Sequence, residues 1–315
     1  MTPKVSVIVC TYNQEDTIGA ALDSILAQQT DFDFEVVVAD DCSADRTPAI
    51  CREYAERYPG KVHAILNDEN KGIADNYYDT LYECRGKYIA DLAGDDLWTD
   101  PNKLARQAAL MDSDPSIVLC HGAWQYLHPD GSMSFSEDHA VPDQDYVVDG
   151  AKMLPYLLQH RKDEVFIHLC TSMYRRDTAI ALTQKYSDFF YGRNLPCEDF
   201  QLEVLMAASG RLPHRPRQPV VDGKSGQGGN IREQGGRHDK ETRRRAHLRP
   251  GPAQGLLHTA DALRNIQGLH IGPQRCCPSS HGRLRLRVAA IAPESAVCAC
   301  GHEIQATVDR LPHGL

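Results

Sequence analysis

Apolar runs of strand length alternate with segments of helical period over the first 120 residues, and this alternation restricts the chain to very few architectures. Val5 to Val9 is a β-branched run of the kind expected for a strand covered on both faces. It is followed by Ile18, Ala21, Leu22, Ile25 and Leu26, whose i, i+3, i+4, i+7, i+8 spacing marks one apolar helix face. Phe34 to Ala39 is a second strand. After it, Thr47 and Pro48 open a helix, with proline at the first position, where its missing N–H costs nothing. Val62 to Leu66, Lys87 to Leu92 and Ile117 to Cys120 read as further strands, with helices from Ile73 to Cys84 and after Asp100-Pro101. Strands separated by helices of this length imply βαβ units and an α/β fold with a largely parallel sheet and helices on both faces.

Ligands of such sheets bind outside the carboxyl ends of the strands. Three of those ends carry polar clusters: Thr11-Tyr12-Asn13, Asp40-Asp41-Cys42-Ser43 and Gly94-Asp95-Asp96. A parallel fold brings them to one edge. Asp95 and Asp96 are suited to a hard divalent cation that shares its remaining positions with phosphate oxygens. Asp40 and Asp41 can accept hydrogen bonds from a nucleobase or ribose, and Tyr12 can stack on a base. Far along the chain, Glu198-Asp199 opens a helix that carries Leu202, Leu205 and Met206, and it offers a general base. Each cluster alone has a plainer reading, as a helix cap, a solvated loop or a packing residue. Their order along one chain is what points to a site.

Composition divides the chain. Residues 1–210 hold 17 Lys+Arg against 35 Asp+Glu, and residues 211–315 hold 17 against 8. All 22 aromatic residues lie in the first part. The acidic body argues against a nucleic-acid groove. Its seven scattered cysteines, none at CxxC spacing, fit reduced thiols of a cytoplasmic protein. No apolar run approaches the ~18–20 residues of a membrane-spanning helix, and the N-terminal run reads as a strand and not as a signal peptide. Neither a Gly-rich phosphate loop nor G-x-G-x-x-G stands at the first strand end. This disfavours a sugar nucleotidyltransferase and a nicotinamide dehydrogenase.

The ordered segments VSVIVCTYNQEDTIGAALDSILAQQ, FEVVVADDCSADRT and NKGIADNYYDTLYECRGKYIADLAGDDLWTDPNKL resemble the inverting family 2 glycosyltransferases of the GT-A fold, over residues 4 to about 210. The resemblance implies a nucleotide-diphospho-sugar donor, such as a UDP- or dTDP-sugar, with Thr11, Tyr12, Asp40, Asp41 and Asp95 lining its pocket. It implies Mg²⁺ or Mn²⁺ at Asp95 and Asp96. It also implies catalysis by the Glu198-Asp199 pair, with Asp199 as base. The acceptor would be a saccharide or lipid-linked saccharide of a cell-surface polysaccharide. The setting would be the cytoplasm, with peripheral association at the inner face of the membrane. One departure stands out: Ala93 replaces the first acid of the family's metal motif. Asp91, two residues back, lies roughly 6–7 Å away along the strand and is not expected to replace it. A weak or inactive nucleotide-sugar-binding protein is therefore the alternative.

Residues 211–315 are read as a separate basic tail. Arg243-Arg244-Arg245 suits an anionic surface. Cys276-Cys277 and Cys298-x-Cys300-x-His302 match no common zinc spacing. Gly223-Lys224-Ser225 lacks the leading glycine of a phosphate loop, because residue 218 is Gln. Arg, Gly, Pro, His and Ala in excess, with two Lys and no aromatics, is what a GC-rich gene gives when read out of frame. The expectation is a reading-frame shift near residue 210, beyond which the chain has little with which to build a core.

Overall fold

The computed structural model describes residues 2–128, 130–135, 146–159, 166–191 and 197–223. Its first half runs β1 (Val5–Thr11), α1 (Ile18–Leu26), β2 (Phe34–Asp40), α2 (Thr47–Arg57), β3 (Val62–Leu66), α3 (Ile73–Glu83), β4 (Tyr88–Ala93), β5 (Asp96–Trp98) and α4 (Lys103–Ser113). Next come β6 (Leu119–Leu127), β7 (Met133–Ser134), β8 (Tyr146–Asp149) and α5 (Gly150–Leu158). A short 3₁₀ turn (Leu169–Thr171) then leads into β9 (Met173–Arg175), α6 (Arg176–Lys185), α7 (Ser187–Phe190), α8 (Asp199–Ala207) and β10 (Arg211–Gly223).

The strands form one sheet in the order β3-β2-β1-β4-β9-β6-β10-β5, with β7 beside β6 and β8 beside β10. The β3-β2-β1-β4 part is parallel throughout. Alternation along those strands divides the core, because successive side chains point to opposite faces. Ile8, Val37 and Ile89 pack with Tyr77 and Leu81 of α3, Leu182 of α6 and Leu202 of α8. Val7, Val9, Val36, Val38 and Leu92 pack with Ile18, Leu22 and Ile25 of α1, Cys51 of α2 and Leu104 of α4. The sheet is thus covered on both faces. Gly86 lets the chain enter β4: a Cβ there would stand 2.7 Å from the Val5 carbonyl carbon and 2.9 Å from Ser6 Oγ.

The structure departs from the sequence reading in the later elements. The run from Phe166 to Tyr174, apolar enough to suggest a strand, is not one strand. Residues 169–171 coil into the 3₁₀ turn, and only Met173–Arg175 pairs, antiparallel to both β4 and β6. β6 runs on to Leu127, beyond the expected end at Cys120. Order also continues past residue 210. β10 pairs parallel with β6 and antiparallel with β5 and β8. Here Leu212 and His214 are buried. Residues 136–145, the Arg243 run and the cysteines at 276, 277, 298 and 300 lie outside the described residues.

Candidate active site

Parallel register sets Thr11 beside Asp40 and Cys10 beside Ala93, so the carboxyl ends of β1, β2 and β4 form one edge. Backbone hydrogen bonds continue past the strands. The N–H of Asp41 donates to Thr11 O (3.0 Å), that of Gly94 to Cys10 O (3.1 Å) and that of Asn67 to Asp40 O (3.0 Å). The loops after β1 and β2 lock into each other. Asn13, at φ 52°, donates its N–H to Ser43 Oγ and accepts from the N–H of Ala44. The N–H of Gln14 donates to Thr47 Oγ1, and that of Glu15 to Asp45 Oδ2. Ser43, Asp45 and Thr47 carry this lock; Asp45 has no counterpart among the strand-end clusters, and the S-x-D-x-T spacing is the signal that marks it.

The nucleoside candidates occupy this edge with different exposures. Tyr12 is 38% exposed, with its ring available to a ligand. Thr11 is buried and donates to Gln14 Oε1 (2.7 Å). Both aspartates already serve the protein. Asp40 accepts from the N–H (3.0 Å) and hydroxyl of Ser43. Asp41 accepts from the N–H groups of Lys71 (2.9 Å) and Gly72 (2.8 Å) and from Asn67 Nδ2 (3.3 Å). These bonds oppose the burial that nonetheless lifts the Asp41 carboxyl above its ordinary range.

At the end of β4 the chain passes close to β1. A Cβ on Gly94 would meet Thr11 Oγ1 at 2.8 Å and would also collide with the Gln14 side chain. The two acids that follow diverge. Asp95 accepts from Gln14, with its carboxyl raised by burial. Asp96, 3% exposed, meets the thiol of Cys170. Burial, together with the charges of Asp96 and Asp199, pushes that thiol well up. Asp91 lies deeper on β4, is fully buried, and takes a hydrogen bond from Tyr77 Oη (2.7 Å), which also contacts Tyr174 Oη (2.5 Å). Its other oxygen has no hydrogen-bond partner, and burial raises its carboxyl well above the usual range. The carboxylate is therefore used below the strand and does not replace the acid missing at Ala93, in keeping with the sequence expectation.

The start of α8 closes the edge from across the sheet. Tyr78 Oη donates to the carbonyl oxygen of Glu198 (2.5 Å), tying the helix start to α3. Burial, and the charge of Asp199 beside it, hold the Glu198 carboxyl well above its ordinary range. Glu198 in turn acts on Cys10 of β1, and Asp199 acts on Asp91 and Cys170. The pair thus faces the same strand ends as Asp95 and Asp96. The adjacent tyrosines 77 and 78 bind the floor of β4 and the start of α8 respectively. No local pattern in the sequence marks them: Tyr77 meets Asp91 14 residues on and Tyr174 97 residues on, and the partner of Tyr78 lies 120 residues away.

Among the described residues, no helix is long and apolar enough to cross a membrane. The model of glycosyl transferase family 2 matches residues 6–183. Rv1520 of Mycobacterium tuberculosis, described as an uncharacterised protein, is 43% identical over 128 residues, which is 41% of this chain and 37% of that protein. The putative glycosyltransferase EpsE of Bacillus subtilis is 34% identical over 153 residues, 49% of each chain. The matched region thus spans between about a third and a half of these curated relatives. Among solved structures, TarS of S. aureus with UDP-GlcNAc superposes with a TM-score of 0.53 at 23% identity, covering 69% of this chain and 58% of that one. The Pyrobaculum calidifontis mannosyltransferase PcManGT with GDP-Man and Mn²⁺ gives 0.51 at 22% identity, covering 72% and 59%. These two likenesses establish the GT-A fold.

Proposed function

The chain belongs to glycosyl transferase family 2, and from that membership we propose that it moves a sugar from a nucleotide-diphospho-sugar to an acceptor hydroxyl with inversion. The observation that carries this reading is the convergence of Thr11, Asp41, Asp95 and Asp96 with the start of α8 on one sheet edge. Tyr12 stacks on the base, and Thr11, Asp40 and Asp41 form the wall of the nucleoside pocket. UDP- and dTDP-sugars are the donors of choice, and the UDP-GlcNAc bound by TarS supports the first of them.

A divalent cation fits the edge on donor chemistry, since Asp95 and Asp96 bring two carboxylates to one strand end. These two residues would hold it, and the Mn²⁺ named for PcManGT supports such a role. When bound, a dication stabilises negative charge on the leaving diphosphate. Asp199 takes the proton of the acceptor hydroxyl as its oxygen attacks the anomeric carbon from the face opposite the diphosphate. The new C–O bond forms as the bond to the diphosphate breaks, through an oxocarbenium-like transition state. Positioning donor and acceptor together supplies much of the rate. Burial and the charge of Asp199 raise the Glu198 carboxyl, so Glu198 is the poorer proton acceptor at neutral pH and Asp199 is assigned as base.

The acceptor in this reading is a saccharide or lipid-linked saccharide. The route is cell-surface polysaccharide synthesis at the cytoplasmic face of the membrane. One observation favours the second reading, a nucleotide-sugar binder of low activity: Asp91 is bound to Tyr77 beneath the strand, and Ala93 leaves its own position without an acid.

The test is release of nucleoside diphosphate from a panel of UDP-, dTDP- and GDP-sugars with Mn²⁺. Asp199→Asn should lower turnover by about 10²–10⁴-fold, the usual worth of a general base, and keep donor affinity by calorimetry. Unchanged turnover removes Asp199 as base. Donor binding without turnover in the unmodified chain establishes the binder.

A further inference from the structure

We propose that Asp96, His168 and Cys170 form a mixed oxygen, nitrogen and sulfur metal site that prefers Zn²⁺ or Co²⁺ to Mg²⁺. One donor atom from each residue lies within 4.8 Å of the other two. Around a tetrahedral ion with bonds of ~2.0–2.3 Å, donors stand roughly 3.3–3.6 Å apart. Closing on an ion therefore asks for about an ångström of side-chain movement. Three protein donors leave one position open to water or to a substrate oxygen, the arrangement of zinc sites that take part in chemistry.

The three donors stand on restrained backbone. Asp96 opens β5, pinned by its pairing with β10. Cys170 sits within the 3₁₀ turn, whose geometry is fixed by Thr171 Oγ1 donating to His168 O (2.7 Å) and the Ser172 N–H donating to Leu169 O (2.7 Å). Trp98 Nε1 donates to the carbonyl oxygen of Cys170 (3.0 Å), and the Ala93 N–H donates to its sulfur (3.3 Å). That backbone N–H partly opposes the burial and the Asp96 and Asp199 charges that push the thiol up. The His168 ring packs against Trp124, with centroids 5.0 Å apart, and edge-on to Phe166 at 6.1 Å. Rings held in this way present their nitrogens in a set direction.

Ligand softness gives the preference. Mg²⁺ demands an octahedron of oxygens and gives up water reluctantly. Sulfur and imidazole suit Zn²⁺ and the later divalent ions. With Ala93 in place of an acid, this edge has lost a hard oxygen donor, while Cys170 and His168 stand next to Asp96. Binding replaces the thiol proton with the metal, and the proton leaves to solvent. A coordinated thiol ionises outright, which offsets the cost of a buried sulfur charge. The site rests on the proposed donor pocket's edge and shares Asp96 with it, so one ion at a time uses that carboxylate; metal binding does not require transfer activity, and the two readings fail separately.

The probe is Co²⁺ added to the reduced, metal-free full chain carrying C276S, C277S, C298S and C300S, which removes the other close pairs of thiols. The expected result is one equivalent of cobalt with a thiolate-to-metal charge-transfer band and tetrahedral visible bands. Equimolar Zn²⁺ should displace it, and a hundredfold excess of Mg²⁺ should not. Cys170→Ser should remove the charge-transfer band with unchanged far-UV circular dichroism. His168→Gln should weaken binding by more than the roughly 10–100-fold cost of losing an outer-shell partner. Absence of the band, its survival in Cys170→Ser, or displacement by Mg²⁺ overturns the site. If Cys170→Ser fails to fold, His168→Gln decides alone: unchanged cobalt affinity there also overturns it.

Discussion

Asp91 shows how one residue can look like part of a site and serve another purpose. It stands two residues before Ala93, too far along the strand to replace the missing acid, and the structure gives it to Tyr77 in the core. A buried carboxyl whose folded pKa is raised binds its proton more tightly in the native state than in the unfolded chain. The resulting stability is full below its ordinary value of 3.8 and is lost as pH rises from there toward the raised value. Asp91→Asn keeps an acceptor for Tyr77 and cannot ionise. We expect it to melt higher than the parent at pH 8, by at least the ~2–4 °C that 1 kcal/mol is worth in a domain of this size. Near pH 4 the difference should shrink toward zero. A variant less stable than the parent at pH 8 would mean that Asp91 is ionised there and is balanced by Lys103, whose charge lowers it. The sequence displayed the acids and glycines of the strand ends because local order places them. It did not display Tyr77, Tyr78 or the Cys170 contact, which exist only after β4, α3, α8 and the 3₁₀ turn have met.

Elements were legible wherever a strand is long and covered on both faces, and illegible where pairing rests on two or three residues. β1 to β4 follow their apolar runs closely, while β5, β7 and β9 are short antiparallel pieces whose pattern is too brief to read. β10 was hidden for another reason. Pro213, Pro216 and Pro219 argue against a strand, since proline gives no N–H to a ladder. The structure accommodates them with a break in register against β6 between Arg215 and Val220. The β6–β10 contact contains its own titration. His121 and His214 are buried with their Nδ1 atoms 3.3 Å apart and their rings 4.7 Å between centroids. Burial first, and then the charge of His214, hold His121 well below its ordinary 6.5. The unfolded chain therefore takes up a proton through pH 6.5 that the folded one refuses. Stability from this group is present above that pH and is lost as pH falls below it. Thermal melts should drop between pH 7.5 and pH 5.5, and His121→Gln should flatten that drop. An equal slope in the variant would place the acid sensitivity elsewhere.

At the scale of the molecule, the break in composition at residue 210 falls just before β10, and this sharpens what a frame shift would require. The fold needs a strand after α8. Gly210 O accepts from the Gly150 N–H (2.9 Å), and Leu212 is buried in the core that α5 and α8 share. We propose that the residues now filling this position, and those after it, come from a shifted frame. The strand slot is genuine, but it is occupied by RLPHRPRQPVV, with three prolines and no aromatic residue. The correct frame should then encode, directly after codon 210, a strand-length stretch of alternating apolar residues free of interior proline. Aromatic residues should reappear beyond it. Reading the two other frames of the gene decides this: if neither gives such a stretch, the tail is native and the proposal is wrong. If one does, the restored chain should gain the cross-strand pairs that proline denies, each worth roughly 0.2–1 kcal/mol. It should also melt higher than the present chain in the same buffer. A restored chain that melts no higher would mean that β10 was never the weak element of the sheet.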